Sequence, residues 1–178
     1  MSTARTQTAY IGLGSNLASF AGTPIQTIHA ALNALAELGE VSACSALYET
    51  APVGFVDQPP FVNAVAMLRT TDTPEKLLEG LLQIEHRFGR DRNSGPPKGP
   101  RTLDLDLLLV DDLIVNTPSL TLPHPALAER RFVLAPLVEL APQLVPPQSG
   151  KTLGELLQAL PDSGDNRIAG VRILRGDS

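Results

Sequence analysis

At 178 residues the chain has the length of one domain, long enough to bury well over half of its unfolded surface. Hydrophobic residues make up 43% of it and charged residues 19%, a mixture that excludes an intrinsically disordered chain. The net charge of −5 argues against broad electrostatic binding to nucleic acid or to an anionic membrane, although a small pocket with local positive charge could still bind a nucleotide.

The first half of the chain predicts alternating strands and helices. A short apolar strand at 8–15 precedes a helix at 23–38, where apolar residues recur at helical spacing. Residues 41–49 and 61–69 are predicted strands. The loop 50–60 between them, rich in Pro and Gly, is too long for a two-residue hairpin turn, and loops of this length are often functional.

The middle of the chain predicts a helix, a basic loop and a strand. The helix runs over 73–88, and the loop at 90–101 carries basic residues among Pro and Gly without a hydrophobic anchor. We expect this loop to become ordered when it binds an anion. The run TLDLDLLLV at 102–110 is the most strand-like segment of the protein, and a hairpin is predicted from it to 113–115.

The last third predicts shorter elements. A loop ends in Leu-Pro-His-Pro at 122–125, helices are expected at 131–140 and 152–160 on either side of an irregular stretch, and a final strand is expected at 167–174.

The order strand–helix–strand–strand–helix–strand predicts an α+β fold. It is the ferredoxin-like βαββαβ sandwich, with both helices on one face of a mostly antiparallel sheet. The last third is expected to add elements at an edge of this sheet. No internal repeat or domain boundary is evident, so we expect a single domain over 1–178.

We expect a cytoplasmic protein. Cys44 is the only cysteine, so no intramolecular disulfide can form and an oxidising compartment is not implied. The N-terminus has no apolar core of signal-peptide length, and no apolar run of membrane-spanning length occurs in the sequence.

Asp104 and Asp106 are the strongest candidates for chemistry. Side chains alternate along a strand, so both carboxylates lie on one face, roughly 6–7 Å apart at Cα. Mg²⁺ prefers such oxygen ligands and completes its shell with water and substrate phosphates. Without a cation the two like charges would repel. The pattern alone leaves open a solvent-facing amphipathic strand.

The basic loop favours a phosphate site beside this pair. Arg90, Arg92, Lys98 and Arg101 lie in the loop 90–101, which precedes Asp104 by a short stretch. Mg²⁺ bridging phosphate oxygens while guanidinium groups offset charge is the arrangement that a triphosphate needs. Any one of these residues alone would indicate only a solvated surface charge.

Other motifs carry less information. His124 lies between two prolines, but a lone histidine is more often structural than catalytic, and His29 and His86 resemble surface positions. Gly12 and Gly14 form half of a dinucleotide fingerprint and are discounted in that role. The sequence contains no Walker-A lysine motif, no Cys/His metal cluster and no Gly-x-Ser-x-Gly elbow.

Four strings together resemble the 6-hydroxymethyl-7,8-dihydropterin pyrophosphokinase family of folate biosynthesis. They are Tyr10–Leu17 (YIGLGSNL), Gly99–Asp106 (GPRTLDLD), Leu122–Pro125 (LPHP) and Glu129–Phe132 (ERRF). The resemblance covers about 8–146 and leaves 147–178 as a C-terminal extension. It implies transfer of the β,γ-pyrophosphoryl group of ATP to the pterin hydroxymethyl group, with release of AMP. The fold implied by the family is also ferredoxin-like.

The resemblance also implies roles for individual residues. Asp104 and Asp106 match the ligands of two Mg²⁺ ions, and Arg90 and Arg101 match catalytic arginines that contact phosphates. The expected ATP-binding residues are Glu85, Arg92, Lys98, Thr121, His124 and Arg130, and the expected pterin-binding residues are Thr50, Val53, Phe61, Asn63 and Phe132. Lys98 stands about where some members carry Trp, and Pro125 where some carry Tyr, so the geometry of loop closure departs from theirs.

Two other functions remain open from the residues alone. One is a ferredoxin-like regulatory or RNA-binding module, which should display exposed aromatic side chains and a basic face. The other is a Mg²⁺–ATP kinase that transfers only the γ-phosphoryl group. The family resemblance favours ATP and the pterin as the partners, with no nucleic acid, membrane or obligate protein partner.

Overall fold

The computed structural model describes residues 4–52, 57–161 and 171–174, the last of these as backbone only. Its helices are α1 (Pro24–Leu35), α2 (Pro74–Arg87), α3 (Arg131–Leu140) and α4 (Leu153–Ala159). Its strands are β1 (Gln7–Ser15), β2 (Glu40–Cys44), β3 (Leu47–Thr50), β4 (Phe61–Thr70), β5 (Asp104–Val110), β6 (Val115–Asn116), β7 (Thr121–Leu122) and β8 (Val171–Leu174).

The main sheet has the strand order β5-β1-β4-β3-β8, and β2 also pairs with β4. All of these pairings are antiparallel. With β2 and β3 counted as one interrupted strand, β1, α1, β2/β3, β4, α2 and β5 form the βαββαβ unit, so the predicted ferredoxin-like fold is confirmed.

Two predicted strands differ in detail from the structure. The strand expected at 41–49 is divided at Ser45–Ala46 into β2 and β3, and within β2 the register against β4 also shifts between Val41 and Ala43. At the break, the Ser45 hydroxyl accepts a hydrogen bond from the Val65 N–H (2.9 Å), which satisfies a ladder donor in place of a backbone carbonyl. The last predicted strand corresponds to β8, and its first residues, 167–170, lie outside the described residues.

The predicted hairpin from β5 to 113–115 is wrong. The chain turns tightly after β5, with the Leu113 N–H donating to the Val110 carbonyl (3.0 Å) and Asp111 in the left-handed region at φ 44°. Val115 then pairs with Leu122 in a separate two-stranded sheet, so β6 pairs with β7 and not with β5. Hydrophobic alternation predicts a strand, but it does not say which strand will be its partner.

The first core lies between the sheet and helices α1 and α2. Thr23 and Thr73 cap the two helices, each followed by a Pro in the first turn. The fully buried side chains of this core include Ile11, Ile28, Leu35, Leu68, Leu77, Leu81 and Leu103. The prediction that both helices of the βαββαβ unit cover one face is therefore confirmed.

A second core covers part of the opposite face of the sheet. Leu134, Leu137 and Leu153 from α3 and α4 pack against Tyr10 and Val65 of the central strands. The prediction that the last third lies at an edge is confirmed for β8, which pairs with β3, and is wrong for α3 and α4. Another part of this face, with Gly12, Gly14 and Asp106, lines a cleft. Within the described residues, no helix is long and apolar enough to cross a membrane.

Candidate active site

Two glycines of β1, Gly12 and Gly14, line this cleft and place no side chain in it. In the antiparallel register Gly12 pairs with Asp106 and Gly14 with Asp104, and directly paired residues point to the same face of a sheet. A Cβ added at Gly14 would lie 3.0 Å from Oδ1 of Asn63, so a side chain there would crowd the cleft. The two glycines, discounted as a dinucleotide motif, leave room above the sheet for a ligand beside both carboxylates.

The cleft has a volume of about 340 Å³, and most of the predicted site residues line it. The predicted residues that line it are Thr50, Phe61, Asn63, Arg90, Arg92, Lys98, Arg101, Asp104, Asp106, His124, Arg130 and Phe132. Glu85 and Thr121 do not line it, and Val53 lies outside the described residues. Gly12, Gly14, Ala51, Leu108 and Val133 line it as well and were not predicted.

Asp104 lies between two arginines. Nη1 of Arg90 is 3.3 Å from its Oδ1, and Nη1 of Arg101 is 3.3 Å from its Oδ2. Arg90 also donates to the carbonyl of Leu103 (3.2 Å), which fixes its guanidinium at the start of β5. Nε of Arg101 is buried and has no hydrogen-bond partner within the described residues. The first carboxylate of the pair is therefore held between two cations at the wall of the cleft.

Asp106 has a different environment. Its carboxylate accepts no hydrogen bond from the described part of the chain, and Nε2 of His124 lies 4.0 Å from its Oδ1. Burial, followed by the negative charges of Asp104 and Glu85, raises the pKa of Asp106 to about 7. The positive charges of Arg92 and Arg130 act in the opposite direction. A carboxylate without a donor, opening into a cleft, is available to bind a cation.

The carboxylate pair fits Mg²⁺. No group of three or more His, Cys, Asp or Glu side chains suited to a metal occurs in the ranges that the structure describes. Mg²⁺ does not need such a group, since it commonly takes one or two carboxylates and completes its shell with water and substrate phosphates. Asp104 and Asp106 would be the protein ligands, and the surrounding arginines would receive the phosphates.

The raised pKa of Asp106 predicts a pH dependence of stability in the metal-free protein. The folded chain keeps this carboxyl protonated up to about pH 7, whereas the unfolded chain releases the proton near pH ~4. Between these values the folded state binds more protons, so the free energy of unfolding should fall as pH rises from about 4 to about 7. Urea denaturation of wild type and Asp106→Asn measures this.

The Asp106→Asn variant should lose this part of the pH dependence, so its stability relative to wild type should increase with pH across that window. Asp112→Asn, at an exposed position in the turn after β5, is the matched control and should keep the wild-type slope. If the free energies of unfolding of wild type and Asp106→Asn differed by the same amount at every pH, this would contradict the raised pKa of Asp106.

Glu85 supports the site from below. It is only 1% exposed on α2, and its carboxylate accepts from the Leu105 N–H (2.8 Å) and from Nε and Nη2 of Arg92 (3.0 and 2.7 Å). Burial raises the pKa of Glu85, although the Leu105 N–H and Arg92 act in the opposite direction. The side chain thus anchors both the beginning of β5 and one arginine of the basic loop.

His124 presents one ring nitrogen to the cleft. Its backbone N–H donates to the Leu108 carbonyl (2.9 Å), and its Nδ1 accepts from the Ala126 N–H (3.1 Å). Burial, and secondarily the charge of Arg130, lower the pKa of His124. The imidazole is therefore neutral at physiological pH with its proton on Nε2, which makes it a hydrogen-bond donor to a ligand.

The other end of the cleft is aromatic and amide-lined. Arg101 lies over the ring of Phe61 (5.1 Å to the centroid), and Arg130 over the ring of Phe132 (5.7 Å). Nδ2 of Asn63 donates to Oγ1 of Thr50 at 2.6 Å. Two aromatic rings and a buried amide suit a flat heterocycle, since the rings can stack on it and the amide can bind its polar edge.

The chain is similar to proteins of one family. The family model described as 7,8-dihydro-6-hydroxymethylpterin-pyrophosphokinase (HPPK) matches residues 10–142. A 2-amino-4-hydroxy-6-hydroxymethyldihydropteridine pyrophosphokinase of Pseudomonas aeruginosa is 46% identical over 92% of this chain and 98% of its own length. One of the same name from Haemophilus influenzae is 43% identical over 87% of this chain and 94% of its own length.

A solved structure shares the fold. Wild-type HPPK-DHPS of Plasmodium falciparum superposes with a TM-score of 0.70 over 89% of this chain, at 15% sequence identity. This chain spans 45% of the length of that protein. At this identity the likeness supports the ferredoxin-like fold, and the family assignment depends on the sequence matches.

Proposed function

This chain belongs to the 7,8-dihydro-6-hydroxymethylpterin-pyrophosphokinase family, and we propose from this premise that it transfers the terminal diphosphate of ATP to 6-hydroxymethyl-7,8-dihydropterin in folate biosynthesis. The hydroxymethyl oxygen forms a bond to the β-phosphorus, the bond between that phosphorus and the α,β-bridging oxygen breaks, and AMP leaves. The hydroxyl proton passes to solvent. The products are AMP and the pterin diphosphate.

The observation that carries this proposal is that Asp104 and Asp106 line one cleft together with arginines and aromatic rings. The arginine side of the cleft, with Arg90 and Arg101, matches a triphosphate in charge. The other side, with Phe61 and Phe132, matches a flat heterocycle in shape. A reaction that joins a phosphate to a pterin requires these two surfaces next to each other.

We propose two Mg²⁺ ions as cofactors, with Asp104 and Asp106 as their protein ligands. When bound, they would offset the negative charge that develops on the transferred phosphates. Arg90 and Arg101 act as the catalytic arginines that orient the phosphates and oppose the same charge. No side chain needs to act as a strong base, because positioning and charge neutralisation dominate phosphoryl transfer.

The remaining predicted residues divide between the two substrates. We propose that ATP is bound by Glu85, Arg92, Lys98, Thr121, His124 and Arg130, with Glu85 acting through its ion pair with Arg92. The pterin is bound by Thr50, Val53, Phe61, Asn63 and Phe132. A ring stacked between the two phenylalanines would leave its amide edge to the Asn63–Thr50 pair.

We also propose that the chain acts as one domain over 1–178, with 8–146 as the catalytic core. A cytoplasmic location is proposed because Cys44, as the only cysteine, allows no intramolecular disulfide of the kind that oxidising compartments favour. The proposed partners are the two small substrates, without nucleic acid or an obligate protein partner, in keeping with the net charge of −5.

A single assay tests this function. Purified protein is incubated with ATP, Mg²⁺ and 6-hydroxymethyl-7,8-dihydropterin, and the nucleotides are separated. We expect AMP in amounts equal to the pterin diphosphate, and no turnover when EDTA removes the metal. Formation of ADP would instead identify a kinase that transfers only the γ-phosphoryl group. Turnover that persists in EDTA would contradict the metal requirement.

A further inference from the structure

Asn16, directly after β1, binds two loops that are far apart in sequence. Its side chain is buried, with the residue 3% exposed. Nδ2 donates to Oε1 of Gln58 (2.9 Å) and to the carbonyl of Pro59 (3.0 Å), and Oδ1 accepts from the backbone N–H of Arg101 (2.8 Å). The backbone N–H groups of Asn16 and Leu17 both donate to the Arg101 carbonyl (3.1 and 3.2 Å).

A second bridge runs parallel to the first. Nε2 of Gln58 donates to the carbonyl of Lys98 at 2.9 Å. Lys98 has φ 58°, a left-handed conformation that is uncommon for a residue other than glycine, within a turn that the Gly99 N–H closes onto the Pro96 carbonyl (3.0 Å). This turn presents the Lys98 carbonyl to Gln58. One amide pair, Asn16 and Gln58, therefore joins segment 57–60 to segment 98–101.

The two segments lead to the two halves of the cleft. Segment 57–60 enters β4 at Phe61, and Asn63 follows two residues later. Segment 98–101 ends at Arg101, whose guanidinium contacts Asp104 and lies over the ring of Phe61. A shift of either segment moves side chains on the aromatic side or on the phosphate side of the cleft, and the amide pair makes each segment's position depend on the other's.

We infer that Asn16 is a positioning residue that couples the binding of the two substrates. The inference depends on the proposed function. An ATP molecule that orders Arg101 and segment 98–101 also orders segment 57–60 through Asn16. Less conformational entropy is then lost when the pterin binds to its own side of the cleft. By linkage, the pterin strengthens ATP binding by the same factor.

The test measures this coupling directly. The probes are 6-hydroxymethylpterin, followed by its fluorescence, and a nonhydrolysable ATP analogue with Mg²⁺, which prevents transfer. The coupling factor is the Kd of the pterin without the analogue divided by its Kd with the analogue. For wild type we expect a factor within the range of about 5 to 150 that is common for linked sites. A wild-type factor of one overturns the inference.

Asn16→Asp separates the two loops with little change in shape. It keeps an oxygen that accepts from the Arg101 N–H, but it replaces the donating NH₂ by an anionic oxygen that faces the Gln58 and Pro59 oxygens. We expect its coupling factor to fall at least about threefold below that of wild type, a change of the size that broken coupling networks produce. Asn116→Asp, at an exposed position of β6, is the control and should keep the wild-type factor.

Gln58→Met provides a second variant that does not place a charge in a buried site. It removes the hydrogen bonds to Asn16 and to the Lys98 carbonyl at a partly exposed position. Its coupling factor should fall like that of Asn16→Asp, because both residues contribute to the connection between segments 57–60 and 98–101. Gln83→Met, exposed on α2, should bind as wild type does.

The readout separates positioning from mere stability and from the proposed function. If Asn16 only stabilised the fold, Asn16→Asp and Gln58→Met would lower the melting temperature while the folded fraction kept the wild-type coupling factor, and the inference would be wrong. If wild type and both variants bind the pterin with the same strong coupling to the ATP analogue, the inference about Asn16 is wrong and the proposed function stands. Wild type that does not bind the pterin overturns the proposed function as well.

Discussion

Replacing either carboxylate of the pair with alanine is expected to lower kcat by about 100- to 1,000-fold or more, the cost of removing one preorganised group that stabilises a transition state. Asp104→Ala removes the anion between Arg90 and Arg101. Asp106→Ala removes a carboxylate that accepts no hydrogen bond within the described residues and opens into the cleft. Each variant also loses one protein ligand of Mg²⁺, and a cation held by one carboxylate would no longer be fixed against the phosphates.

The measurement is the initial rate of AMP formation with both substrates saturating. Asp112→Ala is the control, because Asp112 is exposed in the turn after β5 and lies outside the cleft. It should retain the wild-type rate, while circular dichroism of all three variants should match that of wild type. Near-wild-type turnover in both Asp104→Ala and Asp106→Ala would remove the metal-ligand assignment.

Arg101→Ala is expected to lower kcat by about 100-fold or more, since arginines that stabilise transferred phosphates contribute about 10³–10⁵ in related chemistry. The guanidinium contacts Oδ2 of Asp104 (3.3 Å) and lies over Phe61, so it touches both halves of the cleft. Arg101→Lys should recover little of the activity, because an ammonium group lacks the planar fork that binds two phosphate oxygens and stacks on a ring.

Stopped-flow measurement of the chemical step distinguishes this effect from slow product release. The control is Arg69→Ala on β4, whose side chain is 55% exposed and pairs with Glu40 at 3.6 Å outside the cleft. It should react at the wild-type rate, as surface ion pairs of this kind contribute little. If Arg101→Ala retained the wild-type rate of the chemical step, Arg101 would have no catalytic role.

The carboxylate pair and its face of the sheet could be predicted from the sequence. Alternation in Leu103–Leu107 places Asp104 and Asp106 together, and the same alternation buries Leu105 and Leu107 toward α2. The pattern fails two residues later. A register shift against β1 makes Leu108 an extra residue, so that Leu108 and Leu109 both pack in the second core. Bulges of this kind leave no signal in an apolar run.

The burial of Glu85 was also beyond sequence reasoning. An acidic residue on an amphipathic helix is usually exposed, but here Leu105 and Arg92 supply the donors that make burial tolerable. Neither partner is a neighbour in sequence. Asn16 was missed for the same reason, because its role depends on two loops that only the fold brings together, although the string Gly-Ser-Asn after β1 was part of the family resemblance.

The packing of α3 and α4 on the second face bears on one of the functions that the residues alone left open, an RNA-binding sheet. An RNA-binding sheet needs exposed aromatic side chains across its face. Here Leu134 and Leu137 pack on the central strands at Tyr10 and Val65, and a cleft lies on the same sheet. Element order alone could not place these helices, because hydrophobic periodicity predicts a buried face without naming what covers it.

The most direct test of the carboxylate pair as the centre of the site is a crystal structure with Mg²⁺, a nonhydrolysable ATP analogue and 6-hydroxymethylpterin. We expect metal density within about 2.0–2.1 Å of oxygens of Asp104 and Asp106, the β-phosphate next to Arg101, and the pterin ring between Phe61 and Phe132 with its hydroxymethyl oxygen facing the β-phosphorus. A nucleotide bound elsewhere, or a metal bound without either aspartate, would contradict this account.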